Sequence, residues 1–187
     1  MTTTARPLPA LLAVLLALAG ALALAAPAAA APACNPDVGS LARSAAAMNA
    51  SPLVATRPGR HECFDRVVFQ IAGSVGAGWD VQYVDTVLQD GSGLPLTVAG
   101  GARLWVVLHH PSYDEQGNPT YLHRVGPVAD VAGYRTLRSV VFGGSFEGLT
   151  TFGVGVRARL PFQVFALPGP GGDTRIVLDV LHTWDAR

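Results

Sequence analysis

The chain has 187 residues, half of them hydrophobic, with 13 basic and 13 acidic side chains and a formal net charge of zero. That balance removes the electrostatic argument for nucleic acid or an anionic membrane surface as a general partner. Every basic residue is arginine, which favours planar, fork-like pairing with carboxylates and equally reflects the arginine-preferring codons of a GC-rich genome.

In chain order, the first segment reads as a targeting signal. Arg6 and the amino terminus give a modest positive start, Leu8 to Ala26 is almost wholly Leu, Ala and Val, and small residues fill Ala28 to Ala33. This pattern predicts a secretory signal peptide over residues 1–33 with an A-x-A type cleavage site. A retained transmembrane anchor is the alternative, since the apolar run is nearly long enough to span a bilayer. Cleavage leaves one domain of about 155 residues, with no stable membrane anchor and a secreted, extracellular or cell-wall-associated location. Two cysteines remain, Cys34 and Cys63. An even count in an oxidising compartment predicts a disulfide, worth roughly 3–4 kcal/mol in the chain-entropy model. Lipidation of Cys34 competes with it, but Ala31-Pro32-Ala33-Cys34 is a poor lipobox and would strand Cys63.

Residues 34–60 read as a leader. Leu41 to Ala47 has the propensity for a short helical turn, and Pro36, Pro52 and Pro58 exclude anything longer. From Cys63 onward the period is two. Val67, Phe69 and Ile71 share one face, opposite Arg66, Val68 and Gln70; Trp79, Val81 and Tyr83 likewise oppose Asp80, Gln82 and Val84. A turn at Asp90 to Gly93 leads into a strand candidate at Leu94 to Val98, and Leu104 to Leu108 is apolar on both faces, as in a central strand. Further candidates are Leu137 to Phe142, Thr150 to Val156, Phe162 to Leu167 and Arg175 to His182, separated by Gly and Pro clusters. The expected fold is all-β, a β-sandwich of about eight short strands over residues 61–187, with a leader pinned by the disulfide. The first and last of these strands echo each other, each an arginine followed by a β-branched or aromatic run, as two similar edges or halves of one sandwich would.

Arg60-His61-Glu62-Cys63-Phe64-Asp65-Arg66-Val67-Val68-Phe69, then Trp79-Asp80-Val81-Gln82-Tyr83-Val84, resembles the opening of the AMIN-like domain of secreted actinobacterial proteins. Pro161 to Phe165 and Arg175 to Val180 resemble its close, so the similarity runs over about residues 57–183. The resemblance implies a small β-sandwich related to the AMIN domain, which stands beside cell-wall amidases and in secretin-type envelope machines. It implies binding of peptidoglycan or another envelope component, including an envelope protein, without catalysis.

Site candidates follow from side-chain chemistry. His109, His110 and His123 flank a polar loop holding Asp114 and Glu115, yet adjacent histidines on a strand point to opposite faces, so no metal is expected there. Gly144-Ser145-Phe146-Glu147-Gly148 misses the nucleophile elbow, its glycine falling one position late; no catalytic set and no cofactor are expected. Arg66, Arg175, Asp65 and Asp179 read as cross-strand ion pairs worth about 0.2–1 kcal/mol when exposed. Recognition is the better expectation. Trp79, Tyr83, Tyr113 and Tyr121 offer rings for stacking, and Arg57, Arg60 and Arg103 offer bidentate donors to peptide-stem carboxylates. The competing classes are a small secreted hydrolase using His109, His110, His123 and Asp114, and an inhibitor-like or interaction domain for another secreted protein.

Overall fold

A computed structural model describes residues 1–2, 34, 38–73 and 75–184 of the chain. The predicted signal segment, from residue 3 to residue 33, lies outside the described residues, and Ala33–Arg187 forms one compact unit.

That unit is all-β. Its strands are β1 (Arg43–Ala45), β2 (Leu53–Arg60), β3 (Phe64–Ile71), β4 (Trp79–Val84), β5 (Ala102–Leu108), β6 (Gly126–Pro127), β7 (Leu137–Phe146), β8 (Leu149–Val156), β9 (Phe162–Pro168) and β10 (Thr174–Leu181). They form two antiparallel sheets, one ordered β1-β4-β5-β8-β7-β6 and the other β2-β3-β10-β9. The period-two pattern explains the sandwich directly. On β3, Val67, Phe69 and Ile71 turn inward and are fully buried, as are Ile176, Leu178 and Val180 of β10. They meet Leu104, Val106, Phe152, Val154 and Leu137 of the other sheet in one core. Burying each such side chain contributes about 1.5–3 kcal/mol.

Two polar side-chain clusters and one tight turn close the fold. Asp65 also faces inward from β3. Its Oδ2 accepts from the backbone N–H groups of Thr136 (2.5 Å) and Leu137 (3.0 Å), at the start of β7 in the other sheet. Its Oδ1 lies 3.2 Å from His182 Nε2, and His182 Nδ1 lies 3.0 Å from the Glu62 carbonyl oxygen. On the outer side of the smaller sheet, Arg66 binds Asp179 through two parallel bonds of 2.6 and 2.8 Å. Its guanidinium lies 5.0 Å from the Phe64 ring centroid and 5.6 Å from that of Phe165. The third is the β7–β8 hairpin. Glu147 (φ 49°) and Gly148 (φ 82°) both take positive φ, the two-residue turn whose twist suits a hairpin.

Cys34 and Cys63 form the disulfide, with a Cα–Cα distance of 5.3 Å. Four expectations are corrected. Among the described residues the leader holds no helical turn: Arg43–Ala45 is a strand on β4, because the chain there reaches an open sheet edge. The leader does not extend to residue 60 either, for Leu53–Arg60 pairs with β3. Pro58 is tolerated because β2 is an edge strand that can spare an N–H. Leu94 to Val98 is not a ladder strand. Leu96 and Val98 instead lie over the outer face of the larger sheet with Val87, Val141, Val84 and Trp105. Finally, the echoing strands are not two edges. β3 and β10 are the paired central strands of the smaller sheet, with Arg66 opposite Asp179. Asp179 is fully buried, so their ion pair is not the exposed kind expected.

Candidate functional site

The seven predicted recognition residues separate into three groups. Trp79 and Tyr121 belong to the core, 8% and 4% exposed. Tyr121 packs edge-on against Phe142 and Phe152, and neither ring offers a face to a ligand. Arg57, Arg60 and Tyr113 lie apart from one another. Arg57 donates to Gln70 Oε1 (2.5 Å). Arg60 donates to the Ala132 carbonyl (2.9 Å) and covers the Tyr134 ring at 4.7 Å. The Tyr113 hydroxyl accepts from the Gly148 N–H (3.0 Å), bracing the β7–β8 turn beside a separate apolar cleft that includes Met48 and Pro111.

Tyr83 and Arg103 come together. They line a polar cleft of about 490 Å³ with Val84, Asp85, Gly101, Ala102 and Arg159. The β4–β5 register sets Tyr83 beside Leu104 and Arg103 beside Val84, so the two side chains leave opposite faces of the sheet and border the cleft from either side. Arg103 spends its Nε on the Val98 carbonyl (3.1 Å), and its terminal nitrogens have no hydrogen-bond partner among the described residues. Arg159 lies over the Tyr83 ring at 5.0 Å and donates from Nε and Nη2 to the Ser40 hydroxyl (3.0 Å) and carbonyl (3.1 Å). The Tyr83 hydroxyl donates to the Leu160 carbonyl (2.8 Å) and accepts from the Leu160 N–H (3.0 Å). Burial raises the Tyr83 phenol above its ordinary pKa, against the opposing pull of its Leu160 bond and of Arg159. Tyrosine therefore acts here as a neutral post that holds Arg159 in place.

Arg103, Arg159 and the exposed carboxylate of Asp85 give this cleft charges of both signs. Guanidinium forks match a carboxylate in geometry and bind it more strongly than neutral donors do. Sequence reasoning missed Arg159 and the half-exposed Trp184, whose indole N–H donates to the Arg159 carbonyl (2.9 Å). The available signal was the Arg157-Ala158-Arg159 pair in the connection between two strands.

The residues proposed for a hydrolase do not converge. His109 Nε2 lies 2.8 Å from Asp80 and its Nδ1 3.1 Å from the Ala47 carbonyl, whereas His110 is fully buried against the Ser51 carbonyl (2.9 Å). Burial lowers the His110 pKa. Asp114 accepts from the backbone of Gln116 and Asn118 and from the Asn118 side chain, which holds its carboxyl below the usual range. Exposed His123 rests against the Tyr121 ring at 4.5 Å. No group of three or more His, Cys, Asp or Glu placed to hold a metal occurs among the described residues.

Comparison with curated proteins and with solved structures finds no match. A family model of the AMIN-like domain matches residues 51–182, from the edge of β2 to the end of β10 and so through both sheets. The chain belongs to the AMIN-like domain family.

Proposed function

We propose that the protein is a non-catalytic, envelope-associated binding module whose cleft at Tyr83, Arg103 and Arg159 grips an acidic group of an envelope polymer, with peptidoglycan stem peptides as its ligand. Family membership supports the envelope association, and the disulfide fits an oxidising location outside the cytoplasm. The observation that carries the ligand chemistry is Arg103. It is anchored through Nε alone, which leaves its terminal nitrogens free at the border of a cleft that Arg159 and Asp85 also line. Stem peptides carry both carboxylates and amines, which is the pair of charges this cleft complements. Export follows from the amino-terminal apolar tract.

Co-sedimentation with purified sacculi tests the reading. The protein should pellet with the wall, and the Arg103→Ala, Arg159→Ala double variant should bind at least roughly tenfold more weakly, from the loss of charge-assisted bonds. Arg57→Ala, remote on β2, should bind as the parent does. Parent protein left in the supernatant defeats the wall-binding reading. A folded double variant that pellets normally defeats only the cleft.

A further inference from the structure

Three of the four sheet edges carry the devices that keep strands from pairing with other chains. β1 is three residues long and includes Arg43; β6 is two residues long and ends in Pro127. β2 has a register shift between Leu53 and Ala55 and carries Arg57, Pro58 and Arg60. β9 shares only a terminal proline, Pro168, with these edges. Its seven residues, Phe162-Gln163-Val164-Phe165-Ala166-Leu167-Pro168, bear no charge and follow β10 without a break in register.

Hydrogen bonds at its ends show which backbone groups are open. Leu181 N–H donates to the Pro161 carbonyl (2.9 Å) and Gly169 N–H to the Asp173 carbonyl (2.6 Å). With the register of the ladder, this puts the bonds to β10 at odd-numbered positions and turns the even-numbered N–H and C=O groups to the free edge. Phe162 N–H accordingly donates away from β10, to the Gly39 carbonyl (3.0 Å). Pro168 has no N–H, and its carbonyl accepts from Arg175 Nε (3.0 Å) and Nη2 (2.6 Å). Between these closed ends, the edge-facing backbone groups of Val164 and Ala166 have no partner among the described residues.

We propose that β9 is a self-association edge: two copies of the protein pair β9 with β9, antiparallel about a two-fold axis at Ala166, and fuse their smaller sheets into one. The two ends select that register. An axis at Phe165 would place Pro168 of the second copy opposite Phe162, where Gly39 already stands. An axis at Ala166 sets Ala166 against Ala166 and Val164 against Pro168. Each Ala166 N–H then meets the Ala166 carbonyl of the second copy, and each Val164 N–H meets a Pro168 carbonyl, which gives up one of its two bonds from exposed Arg175 to accept it. Every open donor of the edge is used, and the N–H that proline lacks costs only the bond to one Val164 carbonyl per copy. The exposed, small Ala166 permits close approach at the axis. Phe165 falls opposite Leu167 of the second copy, and the charge-free edge brings no like charges together. This self-complementarity is what an isologous interface requires. It is why a second copy, rather than an unrelated strand, is the occupant.

The inference is independent of the arginine cleft. Sedimentation velocity on the purified protein from about 1 to 100 µM should show a monomer–dimer equilibrium. Ala166→Pro removes an N–H that bonds nothing within the chain, so it should leave the melting temperature unchanged and weaken the dimer at least roughly tenfold. Ala166→Lys sets two cations across the axis and should do the same, which decides the matter if the proline variant fails to fold. A parent protein that stays monomeric throughout the range overturns the proposal, even if the edge accepts a strand of some other protein. So does a dimer indifferent to both substitutions.

Discussion

The two outer faces of the sandwich are closed by opposite means. Over the larger sheet the chain itself is the cover. The segment from Val87 to Val98 lies on Val84, Trp105 and Val141, and it can do so because β8 offers glycines beneath it. A Cβ at Gly153 would overlap the Val98 side chain, and one at Gly155 would overlap the Ala99 carbonyl and the Ser139 hydroxyl. Over the smaller sheet the side chains do the closing. Arg66 lies between Phe64 and Phe165 and holds Asp179, and Gln163 adds a third bond to the same carboxylate (3.2 Å). Small residues admit a backbone, whereas a charge pair seals a face only if every polar atom finds a partner. The covered face shows the cost of the first solution: buried Trp105 Nε1 and Asp90 Oδ2 have no hydrogen-bond partner among the described residues.

The largest expected effect breaks the sealed face. Arg66→Ala leaves the buried Asp179 carboxylate without its cation and should cost about 3 kcal/mol in chemical denaturation. A loss near 0.5 kcal/mol would class the pair with ordinary surface salt bridges and remove the contrast. Next comes the covered face. Gly155→Ala should destabilise by about 2 kcal/mol and make the segment from Val87 to Val98 cut faster in limited proteolysis. Gly59→Ala, on the uncovered face, meets only ordinary contacts at 3.6 and 3.8 Å. It should stay within about 0.5 kcal/mol of the parent; equal effects at the two glycines would show that no cover depends on β8. The last test concerns the orphaned indole. Trp105→Phe discards a buried N–H that bonds nothing and should change stability by less than about 1 kcal/mol; a much larger loss would mean that this N–H is bonded after all.

The legibility of these features differs for physical reasons. β3, β4, β7 to β10 and central β5 were readable because alternation or continuous apolar character reports burial directly. β2 was hidden because an edge strand with Pro58, Gly59 and two arginines lacks that alternation. Leu94 to Val98 misled because a segment lying on a sheet face shows the same period of two as one joined to it. Trp79 shares its face with Val81, so its burial was already implied by the pattern that predicted the strand. Asp65 was different. It was read as half of a cross-strand pair with arginine, but its partners are the backbone N–H groups of Thr136 and Leu137, about seventy residues away, and the ring of His182, and strand periodicity carries no information about those. The place of Arg159 in the cleft was hidden for a like reason, since its position depends on Tyr83 and Ser40 from distant segments.

The leader gives the last consequence. Residues 38–45 supply β1, the Gly39 carbonyl that closes one end of β9, and Ser40, which steadies Arg159. All of them precede residue 51, where the family match begins, while the compact unit starts at Ala33. What recurs between proteins is therefore smaller than what folds in this one. A fragment trimmed to the shared segment would emerge with an unfinished sheet edge, a loosened arginine and no disulfide. Its weaker binding would then be blamed on the ligand when the fault lay in the cut.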